Sequence, residues 1–203
     1  QLFGQQDYLL KNLRLKIRVI SISNSSKMIL SENPINLKTW KYNLEKIGIK
    51  ADREKFFNHI KKLNLRNSIF VDNTASEEIA EEYVSYLKNS IGVVTCNKIA
   101  CASTLKNYNN LKKTARRFVT PFLFETNVGA ALPIIDTLNN LIASGDKIYE
   151  IQAILSGSLN YIFNNYNLNT TFKNIVEKAQ KEGYTEPDPK IDLSGVDVAR
   201  KIL

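Results

Sequence analysis

Between residues 182 and 201 the sequence EGYTEPDPKIDLSGVDVARK gathers Glu186, Asp188, Asp192, Asp197, Arg200 and Lys201. Proline and glycine mark GYTEPDP as a turn. DLSGVDVARKIL then reads as a helix with Asp192 as its N-cap. Asp197 and Lys201 stand four residues apart and share one helical face. Val198 and Ile202 share another, flanked by Val196 and Leu203, so the acid–lysine pair is expected at a half-buried boundary. If buried, the carboxylate would hold the ammonium charged and aim it. A charged lysine can donate a proton or polarise a carbonyl. Glu186 and Asp192 on the turn could bind a substrate ammonium group. The competing reading is a capped helix with an exposed ion pair, stabilising by only about 0.3–0.5 kcal/mol. Spacing alone leans toward that second reading.

Such residues need a scaffold, and the chain upstream supplies a regular rhythm. Residues 1 to 13 read as the end of a helix. KIRVISIS (16 to 23) is an alternating, β-branched strand. SNSSK follows as a polar loop. Amphipathic helices are expected at 36 to 48 and 53 to 64. SIFVDNT (68 to 74) is a strand, and SEEIAEEYVSYLKN (76 to 89) a helix with Ser76 and two glutamates at its start. GVVT (92 to 95) is a strand, 103 to 117 a helix, and FVTPFLFET (118 to 126) a strand whose Pro121 suggests an edge or entry position. Strands alternating with helices argue for βαβ units, a parallel sheet and an α/β class.

Ligands on such sheets bind at the carboxyl ends of the strands. Those ends here are Ser23-Asn24-Ser25, Asp72-Asn73-Thr74 and Thr95-Cys96-Asn97-Lys98. Small hydroxyls and amides can bond a ribose or a phosphate without crowding it. They are equally the residues of ordinary capped turns, and both readings stand.

After residue 126 the texture changes. NVGAALPIIDTLNNLIASGD runs a small-residue loop into an apolar helix. KIYEIQAILSGSLNYIFNNY reads as a strand, a Gly-centred turn and a helix. A boundary near 124 divides the chain into a nucleotide-type domain, 1–123, and a substrate or catalytic domain, 124–203.

Composition narrows the classes. The chain has 203 residues, 43% of them hydrophobic and 24% charged, ordinary for a globular protein. No apolar run reaches 18 residues, so no membrane span or membrane partner is expected. The N-terminus lacks the order of a signal peptide. Cys96, Cys101 and His59 are too few for a zinc site, and the cysteines read as reduced core residues of a cytoplasmic protein. His59 is expected on a helix surface. The net charge of +8 is spread among acids rather than gathered in a stripe. That disfavours nucleic acid as a partner and is compatible with a basic cleft for an anionic cofactor.

A dinucleotide fold opens with a strand and G-x-G-x-x-G, which this sequence lacks. Either something else binds, or the first strand and glycine loop precede Gln1. The strand end SNSSK carries no acid for a ribose 2′-hydroxyl. Its Asn24, Ser25 and Lys27 would instead tolerate a 2′-phosphate, favouring NADP over NAD.

Five motifs resemble those of homoserine dehydrogenases, most of all the dehydrogenase portion of bifunctional aspartokinase–homoserine dehydrogenases. They are VDNTAS (71 to 76), VVTCNKIA (93 to 100), FETNVGAALPII (124 to 135), ILSGSLNYIF (154 to 163) and GYTEPDPKIDLSGVDVARK (183 to 201). The resemblance implies a Rossmann-type parallel sheet followed by the start of an α+β catalytic domain. It implies NAD(P)-dependent interconversion of L-aspartate 4-semialdehyde and L-homoserine in threonine and methionine biosynthesis. By motif, Lys201 resembles the catalytic proton donor, Asp197 the residue that orients it, and Lys98 a second lysine near substrate and nicotinamide. Glu186, Asp192, Tyr184, Gly157 and Ser158 resemble the substrate pocket. Asn73 and Thr74 resemble cofactor contacts. Glu125, Val128, Ala130 and Leu132 resemble a monovalent-cation loop, for an ion such as Na+, contributing mostly backbone carbonyls. A homo-oligomer is implied for the full-length protein. The glycine fingerprint is expected before Gln1 and a completing C-terminal return after Leu203. The 203-residue chain is therefore expected to be a fragment that binds NADP poorly alone. A non-catalytic small-anion module is the alternative; it leaves the five ordered motifs unexplained.

Overall fold

The computed structural model describes residues 1–167, 169–185 and 187–203. The described chain is mixed α/β and falls into two compact units, Gln1–Arg66 and Asn67–Leu203.

The first unit comprises α1 (Leu2–Leu13), β1 (Ser21–Ser23), β2 (Lys27–Leu30), α2 (Trp40–Ile47), β3 (Ile49–Lys50) and α3 (Arg53–Leu63). Its sheet is antiparallel in the order β1-β2-β3, with Ser21 opposite Leu30 and Met28 opposite Ile49. Met28 and Leu44 are its buried hydrophobics. The strand expected over 16 to 23 shortens to β1, and it enters an antiparallel hairpin instead of a parallel sheet. The cause is local. Asn24 Oδ1 accepts from the backbone of Ser26 (2.9 Å) and Lys27 (2.7 Å), closing SNSSK into a turn. Lys27 therefore begins the return strand. His59 lies on a helix, as expected, and is part-buried, its Nε2 3.2 Å from the Ser31 carbonyl oxygen.

The second unit opens with β4 (Ile69–Asp72), α4 (Glu77–Glu81), α5 (Tyr83–Lys88), β5 (Gly92–Thr95), α6 (Lys98–Cys101), α7 (Leu105–Arg117) and β6 (Phe122–Phe124). Here the expected parallel sheet forms, in the order β4-β5-β6. One face packs on α5 and α7. Phe70 stacks on Tyr86 with centroids 4.1 Å apart, and Tyr83, Leu87, Val93, Leu111 and Phe122 complete the buried core. The helix expected over 76 to 89 is split at Glu82, whose N–H bonds Ile79 three residues back, a 3₁₀-type closure. The strand expected from 118 begins only at Phe122. Val119, at φ 49°, and the Thr120 N–H, bonded to the Ala115 carbonyl, are still closing α7.

There follow α8 (Thr126–Gly129), α9 (Ile135–Ala143), α10 (Gly157–Asn165), α11 (Phe172–Lys181), α12 (Pro189–Leu193) and α13 (Val196–Ile202). Ile162, Ile175 and Ala179 form a small core with Tyr161 and Val176. Residues 147 to 156, expected to open with a strand, form none; Tyr149, Ile151 and Ile154 are exposed. The helix expected to start at Asp192 is also corrected. Asp188 caps α12 by accepting from Lys190 N, ahead of Pro189 at the first helical position. Asp192 lies inside α12, and Gly195 at φ 71° separates α12 from α13. No helix among the described residues is long and apolar enough to cross a membrane.

Candidate active site

Three of the sequence-selected residues meet at one carboxylate. Asp197 Oδ1 accepts from Lys98 Nζ at 2.6 Å, and Asp197 Oδ2 accepts from Lys201 Nζ at 2.7 Å. The i,i+4 spacing on α13 brings Lys201 to Asp197, while α6 delivers Lys98 from β5. Side-chain exposures of 31% for Lys98, 46% for Asp197 and 16% for Lys201 make this a partly buried triad. It is not the solvated surface pair that spacing alone favoured. Partial burial pushes the Asp197 carboxyl up, but the hydrogen bonds from Lys201 and then Lys98 outweigh it and hold it below its ordinary value. Lys201 Nζ also donates to the Leu155 carbonyl oxygen at 2.7 Å. The ammonium is thus gripped from two sides and aimed.

Leu155 opens the turn that carries Gly157 and Ser158. Ser156 caps α10 by accepting from Leu159 N at 3.1 Å. Ser158 Oγ donates to Asp192 Oδ1 at 2.8 Å. One short turn therefore touches both Lys201 on α13 and Asp192 on α12. A Cβ added at Gly157 would meet nothing within 4 Å, so that wall of the turn is open. Tyr184 is half exposed and stacks on Tyr161 with centroids 4.1 Å apart. The Tyr161 phenol donates to Glu182 Oε2 at 2.7 Å, and this bond pushes its pKa up to about 12. Glu186, the other substrate candidate, lies outside the described residues.

The cofactor candidates fall in two places. Asn73 and Thr74 follow β4 and are exposed. Thr74 N donates to Asp72 Oδ1 at 2.8 Å, and Asn73 Oδ1 lies 4.0 Å from Cys96 Sγ. In the first unit Asn24 and Ser25 occupy the exposed hairpin turn, and Lys27 Nζ donates to the Glu45 carbonyl oxygen.

The cation-loop candidates follow β6. Glu125 spends both carboxylate oxygens on the start of α9, accepting from Ile135 N (2.8 Å) and Asp136 N (2.7 Å). Burial pushes its carboxyl up, and these backbone donors more than reverse the shift. What Glu125 offers an ion is its carbonyl. The Leu132 carbonyl accepts from Ile134 N, Val128 N reaches the Glu125 carbonyl at 3.5 Å, and Ala130 turns at φ 52°. Within this loop the buried Asn127 Oδ1 has no hydrogen-bond partner.

Sequence reasoning named Asp72, Thr95 and Asn97 as polar strand ends but missed Tyr83 and the network that joins them. Asp72, Tyr83, Thr95 and Asn97 are buried and hydrogen-bonded to one another. Burial and then the Asp72 bond push the Tyr83 phenol well up. Thr95 and Asn97 were legible as a polar strand end. Tyr83 reads in sequence as plain helix core.

Comparison with known proteins identifies the family. A homoserine dehydrogenase NAD-binding domain model matches residues 1–125, and a homoserine dehydrogenase model matches residues 133–203. The chain is 43% identical to bifunctional aspartokinase/homoserine dehydrogenase 1 of Arabidopsis thaliana over 203 residues, all of this chain and 22% of that protein. It is 38% identical to homoserine dehydrogenase of Schizosaccharomyces pombe, again along its whole length, covering 55% of the relative. The structure resembles a hyperthermophilic archaeal homoserine dehydrogenase in complex with NADPH, with TM-score 0.76, 26% identity, and coverage of 98% of this chain and 63% of that one. It also resembles a Candida auris protein of unknown function, with TM-score 0.83, 32% identity, and coverage of 96% and 56%. The chain thus spans about a quarter of the bifunctional relatives and about half of the S. pombe enzyme. With a family match running through both of its parts, the chain belongs to the homoserine dehydrogenase family.

Proposed function

We propose that the protein carrying this chain interconverts L-aspartate 4-semialdehyde and L-homoserine with a nicotinamide cofactor. The carrying observation is the Lys98–Asp197–Lys201 bridge. When bound, the cofactor supplies a hydride to the aldehyde carbon. Negative charge then develops on the substrate oxygen, and two ammonium groups stabilise it. Lys201 gives that oxygen its proton from Nζ. Asp197 pairs with both ammonium groups and sets their spacing, and Lys98 supplies the second fixed positive charge. Asp192 and Glu186 bind the substrate ammonium, with Ser158 orienting Asp192 and Tyr184 and Gly157 bounding the pocket. The boundary near 124 divides the chain: residues 1–123 hold the cofactor and contribute Lys98, and 124–203 hold the substrate. The family models, which leave a gap between residues 125 and 133, support that division.

The cofactor candidates are, in the second unit, Asn73 and Thr74, exposed at the carboxyl end of β4, and, separately in the first unit, Asn24, Ser25 and Lys27. NADP is favoured over NAD because SNSSK carries no acid; in the structure this segment closes a hairpin, with Asn24 Oδ1 used by the turn and Lys27 Nζ held by the Glu45 carbonyl oxygen, so the support is the missing acid alone. A monovalent cation such as Na+ would take the backbone carbonyls of Glu125, Val128, Ala130 and Leu132 as its ligands. The unpartnered, buried Asn127 Oδ1 in the same loop is the acceptor such an ion would satisfy. Oligomerisation of the full-length protein is supported by exposed Leu141, Ile142, Tyr149, Ile151, Ile154 and Phe163. A reducing location, the cytoplasm, suits the free Cys96 and Cys101.

The test is homoserine-dependent NADP reduction by the full-length parent and its Lys201→Ala variant. Turnover should fall about 10²–10⁴-fold, with KM changing far less. Unchanged turnover would remove Lys201 from the mechanism. Replacing alkali ions by tetraalkylammonium should lower activity if the loop holds Na+ or a similar ion.

A further inference from the structure

We propose that Asp72, Tyr83, Thr95 and Asn97 form a positioning network that fixes the backbone from which Lys98 reaches Asp197. The inference rests on the role given to Lys98 above.

Asp72 and Thr95 end neighbouring parallel strands and stand opposite each other in register. Their side chains enter the helix-covered face, 1% and 3% exposed, where Tyr83 is fully buried. The Tyr83 hydroxyl donates to Asp72 Oδ2 at 2.5 Å and lies 2.7 Å from Thr95 Oγ1. Thr95 Oγ1 accepts from Asn97 N at 2.9 Å. Asn97 Nδ2 donates to Asp72 Oδ2 at 3.1 Å and to the Ser76 carbonyl oxygen at 2.9 Å. Asn97 Oδ1 accepts from Ile99 N at 3.0 Å, and the Asn97 carbonyl accepts from Asn127 Nδ2 at 3.0 Å. Every polar group of Asn97 is therefore engaged, and the next residue is Lys98.

A helix cap alone would need only Asn97 Oδ1. The amide instead reaches across to the β4 end and to Ser76. Burying a carboxylate is expensive, and an apolar residue of similar volume commonly serves stability as well or better. The use of Asp72 here is intelligible if it ties two strand-end loops into one rigid platform. Its other oxygen holds Thr74, so the same carboxylate anchors the Asn73–Thr74 turn. A lysine held at 2.6 Å from its carboxylate has little tolerance for a shifted backbone.

The experiment uses the full-length parent, with Asn97→Ser and Tyr83→Phe. Serine keeps the α6 cap but cannot span to Asp72 and Ser76; phenylalanine keeps the volume and removes only the hydroxyl. Both variants should remain folded, unfolding some degrees below the parent, as the loss of buried hydrogen bonds requires. In crystal structures of both, Lys98 Nζ should leave hydrogen-bonding distance of Asp197. For Asn97→Ser kcat should fall on the order of 100-fold, as expected for a displacement near 1 Å, while KM for homoserine moves much less. Tyr83→Phe should show a smaller fall of the same kind. Retention of the Lys98–Asp197 contact in both variants would overturn the proposal, as would a broken contact with undiminished kcat. Failure of both variants to fold would assign the network to stability and overturn it too. If the parent itself shows no homoserine-dependent turnover, the proposed function falls, and the Lys98–Asp197 contact alone decides the positioning claim.

Discussion

The Ser23–Lys27 turn and the paired ends of β4 and β5 are built from the same kinds of residue, yet they fold into opposite devices. In the hairpin turn Asn24 bonds only its near neighbours, and its surroundings are exposed. At the β4 and β5 ends the partners lie 11 to 25 residues apart, and Asp72, Tyr83, Thr95 and Asn97 are buried. A local turn satisfies itself and can be read from a few letters. A cross-linked strand end borrows its partners from elsewhere and becomes rigid enough to carry chemistry.

That contrast can be broken by substitution. Asp72→Ala should destabilise the protein most, by about 3 kcal/mol or more, because the Tyr83 hydroxyl and an Asn97 donor lose a buried acceptor. Chemical denaturation of the parent protein measures it; a loss near that of an exposed turn would erase the distinction. Tyr83→Phe should cost about 1–3 kcal/mol by leaving Asp72 one donor short. Asn24→Ala should cost about 1 kcal/mol or less, since water can replace a local turn bond.

The smallest expected effect is at Asp197. Its folded carboxyl lies below the ordinary 3.8, so its contribution is present above that value and fades as pH falls through the folded one. With the side chain half exposed, solvent screening keeps the gain under about 1 kcal/mol. Acid titration of stability in Asp197→Asn against the parent checks it: the parent's advantage should shrink toward low pH.

The rhythm of strands and helices, the parallel sheet over residues 68 to 126, and the pairing of Asp197 with Lys201 were all legible in the sequence; the strand order was not. The legible features follow from periodicity and from i,i+4 spacing. The reversal at Asn24 was not read, although SISNSSKMIL holds two short apolar runs around a turn. The strand expected within KIYEIQAI failed because alternation supplies a pattern and no neighbour to bond. Asp188 displaced Asp192 as the cap because a proline at the first helical turn outranks a later acid. The arrival of Lys98 at Asp197 was invisible to spacing, since no local rule relates residues 99 positions apart.

That separation sets an order of events in time. Helices and the β4-β5 pairing can form from nearby segments within microseconds to milliseconds, whereas closing a contact across 99 residues waits for the intervening chain to settle. During refolding, far-ultraviolet ellipticity should therefore recover first and the Lys98–Asp197–Lys201 bridge late. The bridge acts as a completion signal, made only once both distant segments are native.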